Sequence, residues 1–93
     1  MEPEIHNDIE NNRFVVETEH GEATLKYKRA DGDTLDYVST FVPEEARGGG
    51  LGERLVLHAL DWAEENDFQV IPTCPFIRHV LDEHPERVGV LAQ

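Results

Sequence analysis

The stretch VPEEARGGGLGERLVLHALDWAEE, residues 42–65, decides how the chain is read. Its second half is helical. Leu51, Leu55, Ala59 and Trp62 recur at helical spacing, and Val56, Leu60 and Ala63 widen the apolar stripe. Its first half breaks regular structure, because Gly48, Gly49, Gly50 and Gly52 put four glycines into five positions. Glycine takes backbone dihedrals closed to other residues and lets a ligand come close to the main-chain N–H groups. The helix start behind it adds unpaired N–H groups and about half a positive charge. Together these make a cradle for a phosphate or pyrophosphate. The same glycines also suit a plain flexible lead-in to an amphipathic helix, and the loop alone does not separate the two readings.

Counting excludes two familiar cradles. A Walker loop ends in Gly-Lys-Ser/Thr, and no lysine follows Lys28. The dinucleotide fingerprint needs a third glycine three places after the second. That place holds Glu53 when counted from Gly48 and Leu55 when counted from Gly50. What remains is Arg-x-x-Gly-x-Gly at Arg47, Gly50 and Gly52.

Working back from the loop, β-prone residues alternate with polar ones. RFVVET (13–18) reads as a strand, and His20-Gly21 supplies a turn. EATLKYKR (22–29) places Ala23, Leu25 and Tyr27 on one face, with Thr24, Lys26 and Lys28 on the other. Asp31-Gly32 is a two-residue hairpin signal, with both turn positions expected at positive φ. TLDYVSTFV (34–42) follows, and simple alternation puts Leu35, Tyr37, Ser39 and Phe41 on a shared face. A three-stranded antiparallel meander is expected at the start of a single domain over residues 13–93, preceded by a polar leader over residues 1–12. Working forward, FQVI (68–71) reads as a fourth strand, and Pro72-Thr73-Cys74-Pro75 ends it. A second helix over 76–83 stops at Pro85. The expected order is β-β-β-α-β-α, an α/β domain with a mostly antiparallel sheet.

Composition narrows the partners. The chain has 93 residues, 20 Asp and Glu against 8 Lys and Arg, and a formal net charge of -12. Extended nucleic acid and anionic membrane both demand a cationic surface, so neither is an expected partner. A single cysteine forms no internal disulfide. Five histidines at irregular spacing indicate no metal site. The leader MEPEIHNDIENN lacks the basic and apolar regions of a secretion signal, so a cytoplasmic protein is expected. Acidity on this scale fits a salt-rich cytoplasm, where screening relieves self-repulsion.

From Phe41 onward the chain resembles the phosphate-binding segment of the GNAT acetyltransferase superfamily: strand, Val-Pro, Arg-Gly-x-Gly-x-Gly, helix. The stretch VPEEARGGGLGERLVLHALDWAEENDFQVIPTCPFIRHVLDEHPE is similar to the small single-domain GNAT-like family of YjdJ type. The shared marks are the arginine-glycine loop, Pro72-Thr73-Cys74 at a strand end, and the closing His84-Pro85 pair. The N-terminal strands fit as well, so the resemblance spans nearly the whole chain.

The resemblance implies a GNAT-like (acyl-CoA N-acyltransferase) fold and an N-acetyltransferase that uses acetyl-CoA as co-substrate. Phe41 and Val42 would pair with the pantetheine arm through their backbones. Arg47, Gly48, Gly49, Gly50, Leu51 and Gly52 would surround the pyrophosphate. It also implies that Cys74 is the nucleophile, an acetyl group passing through its thioester to an amine that the sequence leaves unidentified. The residues themselves leave Cys74 open between that role and a small buried apolar one. His79, five residues on, is a candidate base. The rival from another class is a CoA-binding or acyl-CoA-sensing module without turnover, since few C-terminal residues remain to build an acceptor pocket.

Overall fold

A computed structural model describes residues 4–92. Five strands form one sheet in the order β1-β2-β3-β4-β5. They are β1 (His6–Asp8), β2 (Arg13–Thr18), β3 (Gly21–Asp31), β4 (Thr34–Phe41) and β5 (Gln69–Ile71). The first four are antiparallel, and β5 pairs parallel to β4. Helix α1 (Leu51–Glu65) makes the crossover between β4 and β5, and α2 (Pro75–Glu83) follows β5. Short 3-10 turns occupy Ile9–Asn11, Glu44–Ala46 and Pro85–Val90. No helix of the described residues is long and apolar enough to cross a membrane.

The apolar alternation of the strands meets the stripe of α1. Phe14 and Val16, Ala23 and Leu25, and Leu35 and Tyr37 are fully or almost fully buried against Leu55, Val56, Ala59, Leu60 and Ala63. Ile77 and Val80 of α2 close the same core. Tyr37 is the bulkiest fully buried side chain among the described residues, and its hydroxyl donates 2.7 Å to the Ala59 carbonyl, tying α1 to β4. Burial, reinforced by Tyr27 nearby, holds its phenol far above the usual tyrosine value.

Three local expectations are corrected. First, the sheet gains an edge strand: residues 6–8 of the polar leader pair with β2, His6 opposite Val15 and Asp8 opposite Arg13. Arg13 Nε lies 3.1 Å from the Asp8 carboxylate, so side-chain bonding compensates for poor strand propensity. Residues 1–3 and 93 lie outside the described residues. Second, the β3–β4 turn falls on Gly32-Asp33, because Asp31 pairs with Thr34. An extra β3 residue, Ala30, shifts the register there, and neither turn residue has positive φ.

The third correction bears on the site. Lys26 pairs with Ser39 but Tyr27 pairs with Tyr37, leaving Val38 as a bulge in β4. A bulge inserts one residue and re-aims every side chain beyond it. Ser39 and Phe41 therefore turn outward and are exposed, while Thr40 takes the inward face shared with Leu35 and Tyr37.

Candidate functional site

β4 outruns β5. The two strands pair only over Thr34–Gln69, Leu35–Val70 and Asp36–Ile71, after which the chain leaves β5 through Pro72. From Tyr37 to Phe41 that side of β4 has no strand beside it among the described residues, so alternate backbone N–H and C=O groups face a gap. The loop after Pro72 partly fills it. The Cys74 N–H donates 3.1 Å to the Tyr37 carbonyl, and the Thr73 hydroxyl donates to the Asp36 carboxylate.

The gap opens into a cavity of about 500 Å³. One wall is the end of β4, with Thr40, Phe41 and Val42. A second is the glycine loop and the start of α1, with Arg47, Gly48, Gly50, Gly52 and Glu53. The third is one face of α2, where Phe76, His79, Val80 and Glu83 recur at helical spacing.

The loop has the conformation its glycines permit. Gly48 and Gly50 have φ of 93° and 81°, in the left-handed region that favours glycine. Gly50 is the N-cap of α1 and supplies no side chain, so the first N–H groups of the helix are free of a side-chain cap. A Cβ on Gly52 would stand 3.1 Å from two Phe76 ring carbons and 3.4 Å from Val42 Cγ2, so this glycine lets three elements converge. Arg47 Nε donates 2.8 Å to the Val42 carbonyl, which fixes the guanidinium at the mouth of the gap.

The wall is electrostatically mixed. Arg47 shares the lining with two carboxylates, Glu53 and Glu83. Each carboxylate has a histidine close by: His84 Nε2 lies 3.5 Å from Glu53 and His79 Nε2 lies 3.3 Å from Glu83. His84 Nδ1 also lies 3.4 Å from Glu86, linking α1 to the last turn of the chain.

The cavity brings together Phe41, Val42, Arg47, Gly48, Gly50, Gly52 and His79 of the residues singled out in the sequence. Gly49 is not on the wall, and the Leu51 side chain is buried in the core, so Leu51 offers the loop only its backbone. Cys74 is 6% exposed and lies behind the wall, its sulfur 3.6 Å from Thr40 Oγ1. Its hydrogen-bond partner is thus Thr40 and not His79, whose imidazole points to Glu83. Burial pushes the Cys74 thiol up. The N–H of Ile77, the Thr40 hydroxyl and the N–H of Phe76 together outweigh it, and the thiol is held below its ordinary value.

Thr40, Glu53, Phe76, Val80 and Glu83 were not legible as site residues. Thr40 reaches the wall only through the bulge. The α2 residues enter the wall through the packing of that helix, which leaves Phe76 39% exposed at the edge of the cleft.

A strand splayed from its parallel neighbour beside a glycine-led helix start defines the fold class of acyl-CoA N-acyltransferases. The model of GCN5-related N-acetyl-transferases matches residues 13–90, and the chain belongs to that family. Its general class of activity is acetyl transfer. Protein NATD1 of Xenopus tropicalis is 30% identical over 83 residues, covering 87% of this chain and 76% of its own length. Human Protein NATD1 is 30% identical over 83 residues, covering 87% and 74%. The solution structure of a GCN5-like protein from Staphylococcus aureus is similar with a TM-score of 0.75 at 25% identity, over 96% of this chain and 87% of that one.

Proposed function

We propose that the chain binds acetyl-CoA in this cavity and transfers the acetyl group to an amine. The observation that carries the reading is the uncapped, glycine-led start of α1 opening onto the same space as the free edge of β4. Backbone N–H groups of residues 50–52 and the Arg47 guanidinium hold the pyrophosphate. Phe41 and Val42 offer main-chain groups to the pantetheine amides, and the acyl end lies toward Thr40 and Cys74. Neutral N–H dipoles suit this protein, because they bind an anion without needing a basic surface.

In the acyl step Cys74 acts as a thiolate. Its sulfur bonds to the carbonyl carbon as the carbon–sulfur bond to CoA breaks, and CoA departs as its own thiolate. The amine then bonds to the same carbon, the bond to Cys74 breaks, and the proton lost by the amine goes to His79 or to water. The depressed thiol supports this route, and Thr40 stands on the wall beside the sulfur.

The test is calorimetric titration with CoA and acetyl-CoA, followed by intact-mass analysis of wild type and Cys74→Ala after incubation with acetyl-CoA. The reading expects binding, an adduct of one acetyl group that the variant lacks, and loss of that adduct on adding an amine. Amine-dependent turnover by Cys74→Ala at the wild-type rate overturns the covalent route alone. Binding without turnover supports the sensing module instead. No binding of either nucleotide overturns the cavity assignment. The working environment belongs to the same proposal: a salt-rich cytoplasm, in which a charge of -12 is screened.

A further inference from the structure

Thr40 belongs to two neighbourhoods at once. It stands on the cavity wall, and its Oγ1 accepts the Cys74 thiol at 3.6 Å. Cys74 is buried and is not itself on the wall. The hydroxyl is therefore the polar group through which the sulfur meets the cavity.

Two independent devices build this contact. The Val38 bulge turns Thr40 inward where regular alternation would have put Ser39. The bonds Cys74 N–H to Tyr37 carbonyl and Thr73 hydroxyl to Asp36 then stitch residues 73–74 to β4, just past the point where β5 has ended. A hydroxyl has one donor hydrogen and two acceptor lone pairs, so it serves either charge state of its neighbour. It accepts from a thiol and, turned about its C–O bond, donates to a thiolate.

We propose that Thr40 is a positioning residue for Cys74, holding the sulfur at the inner wall of the cavity and donating its hydroxyl hydrogen to the thiolate. The inference deepens the reading of the cavity as an acyl-donor site and rests on it. On ionisation the thiol proton leaves to solvent and Thr40 keeps its own, so no covalent bond to Thr40 forms or breaks. The direction in which the thiol is displaced from its ordinary value agrees with this donation.

The experiment needs no acyl donor. Iodoacetamide alkylation of Cys74 is followed against pH in wild type, Thr40→Val and Thr40→Ser. Valine keeps the shape and removes the hydroxyl. It is expected to raise the midpoint by about one pH unit, with up to tenfold slower alkylation at neutral pH. Serine is expected to keep the wild-type midpoint. An unchanged midpoint in the valine variant, or a serine variant that behaves like valine, overturns the proposal. Should circular dichroism show Thr40→Val unfolded, Thr40→Ala is read by the same criterion. CoA calorimetry on wild type separates the two levels. CoA binding with a Thr40-independent midpoint sinks the role of Thr40 alone. A Thr40-dependent midpoint without CoA binding sinks the cavity reading and leaves the Thr40–Cys74 contact standing.

Discussion

Gly50, the N-cap of α1, and Gly52, two residues on in its first turn, answer to different physics. Gly50 has a φ of 81° and open space where a Cβ would be, so the cost of a side chain there lies in the backbone. Forcing a β-branched residue into that region costs about 1–3 kcal/mol. Gly50→Val is expected to lose that much in chemical denaturation, and with it CoA affinity, because the relaxed loop no longer aims its N–H groups. Gly52 has an ordinary φ but little room: a Cβ there would stand 3.1 Å from the Phe76 ring, which would have to give by a few tenths of an ångström. Gly52→Ala is expected to lose about 1–3 kcal/mol by overpacking. Shortening the neighbour in Gly52→Ala/Phe76→Leu should recover part of that loss. Failure of the double variant to regain stability would reject the steric account. A glycine count cannot draw this distinction, because only the fold says which glycine meets a ring and which carries the turn.

At the scale of elements, the Tyr37–Ala59 bond is the clearest staple between sheet and helix. Removing the hydroxyl in Tyr37→Phe is expected to cost about 0.5–1.5 kcal/mol, read as a lower denaturation midpoint. The pH dependence follows from the raised phenol. A group whose folded value lies above its unfolded one stabilises fully below the unfolded value, near pH 10, and loses that contribution as pH rises toward the folded value. Wild-type stability should therefore fall above about pH 10 more steeply than that of Tyr37→Phe. Parallel curves would show that Tyr37 does not titrate on unfolding. The strands that form this sheet differ in legibility for a physical reason. β2 was read to its last residue, because Phe14, Val15 and Val16 are intrinsically β-prone and fully or nearly buried. β1 escaped, because His6-Asn7-Asp8 has no such preference and is a strand only through its pairing with β2. Alternation locates β4 yet puts its far half on the wrong face. Alternation predicts orientation only while pairing is regular, and the bulge at Val38 is set by β3, which lies elsewhere in the chain. The glycine loop, a local feature, is legible as a break in regular structure ahead of α1, and Gly48 and Gly50 do take positive φ there. The inward turn of Thr40 toward Cys74 and the α2 wall are not legible, since both depend on what the fold brings alongside.

At the scale of the molecule, charge sets the response to salt. The carboxylates exceed the cationic side chains by enough to leave -12, and two of the six arginines are each shared between two carboxylates. Arg13 lies between Asp8 and Glu22, and Arg87 between Asp61 and Glu86. Exposed pairs of this kind contribute little, so screening them costs little, whereas screening the unbalanced repulsion is a gain. The thermal midpoint is therefore expected to rise with KCl. Each kcal/mol of relieved repulsion is worth about 4–8 °C for a domain of this size. The same reasoning reverses the usual salt dependence of phosphate binding. At ~0.01 M salt the Debye length is about 30 Å, so a bound or approaching polyanion feels most of the charge on a molecule 37 × 30 × 22 Å across. At ~1 M it is about 3 Å, and what remains is the short-range attraction of the α1 N–H groups and Arg47. Under the proposed function, CoA affinity should then strengthen as KCl rises from low concentration, whereas a basic phosphate site weakens over the same range. Affinity that falls steadily with salt would mean that paired cationic side chains, and not the neutral glycine cradle, hold the cofactor.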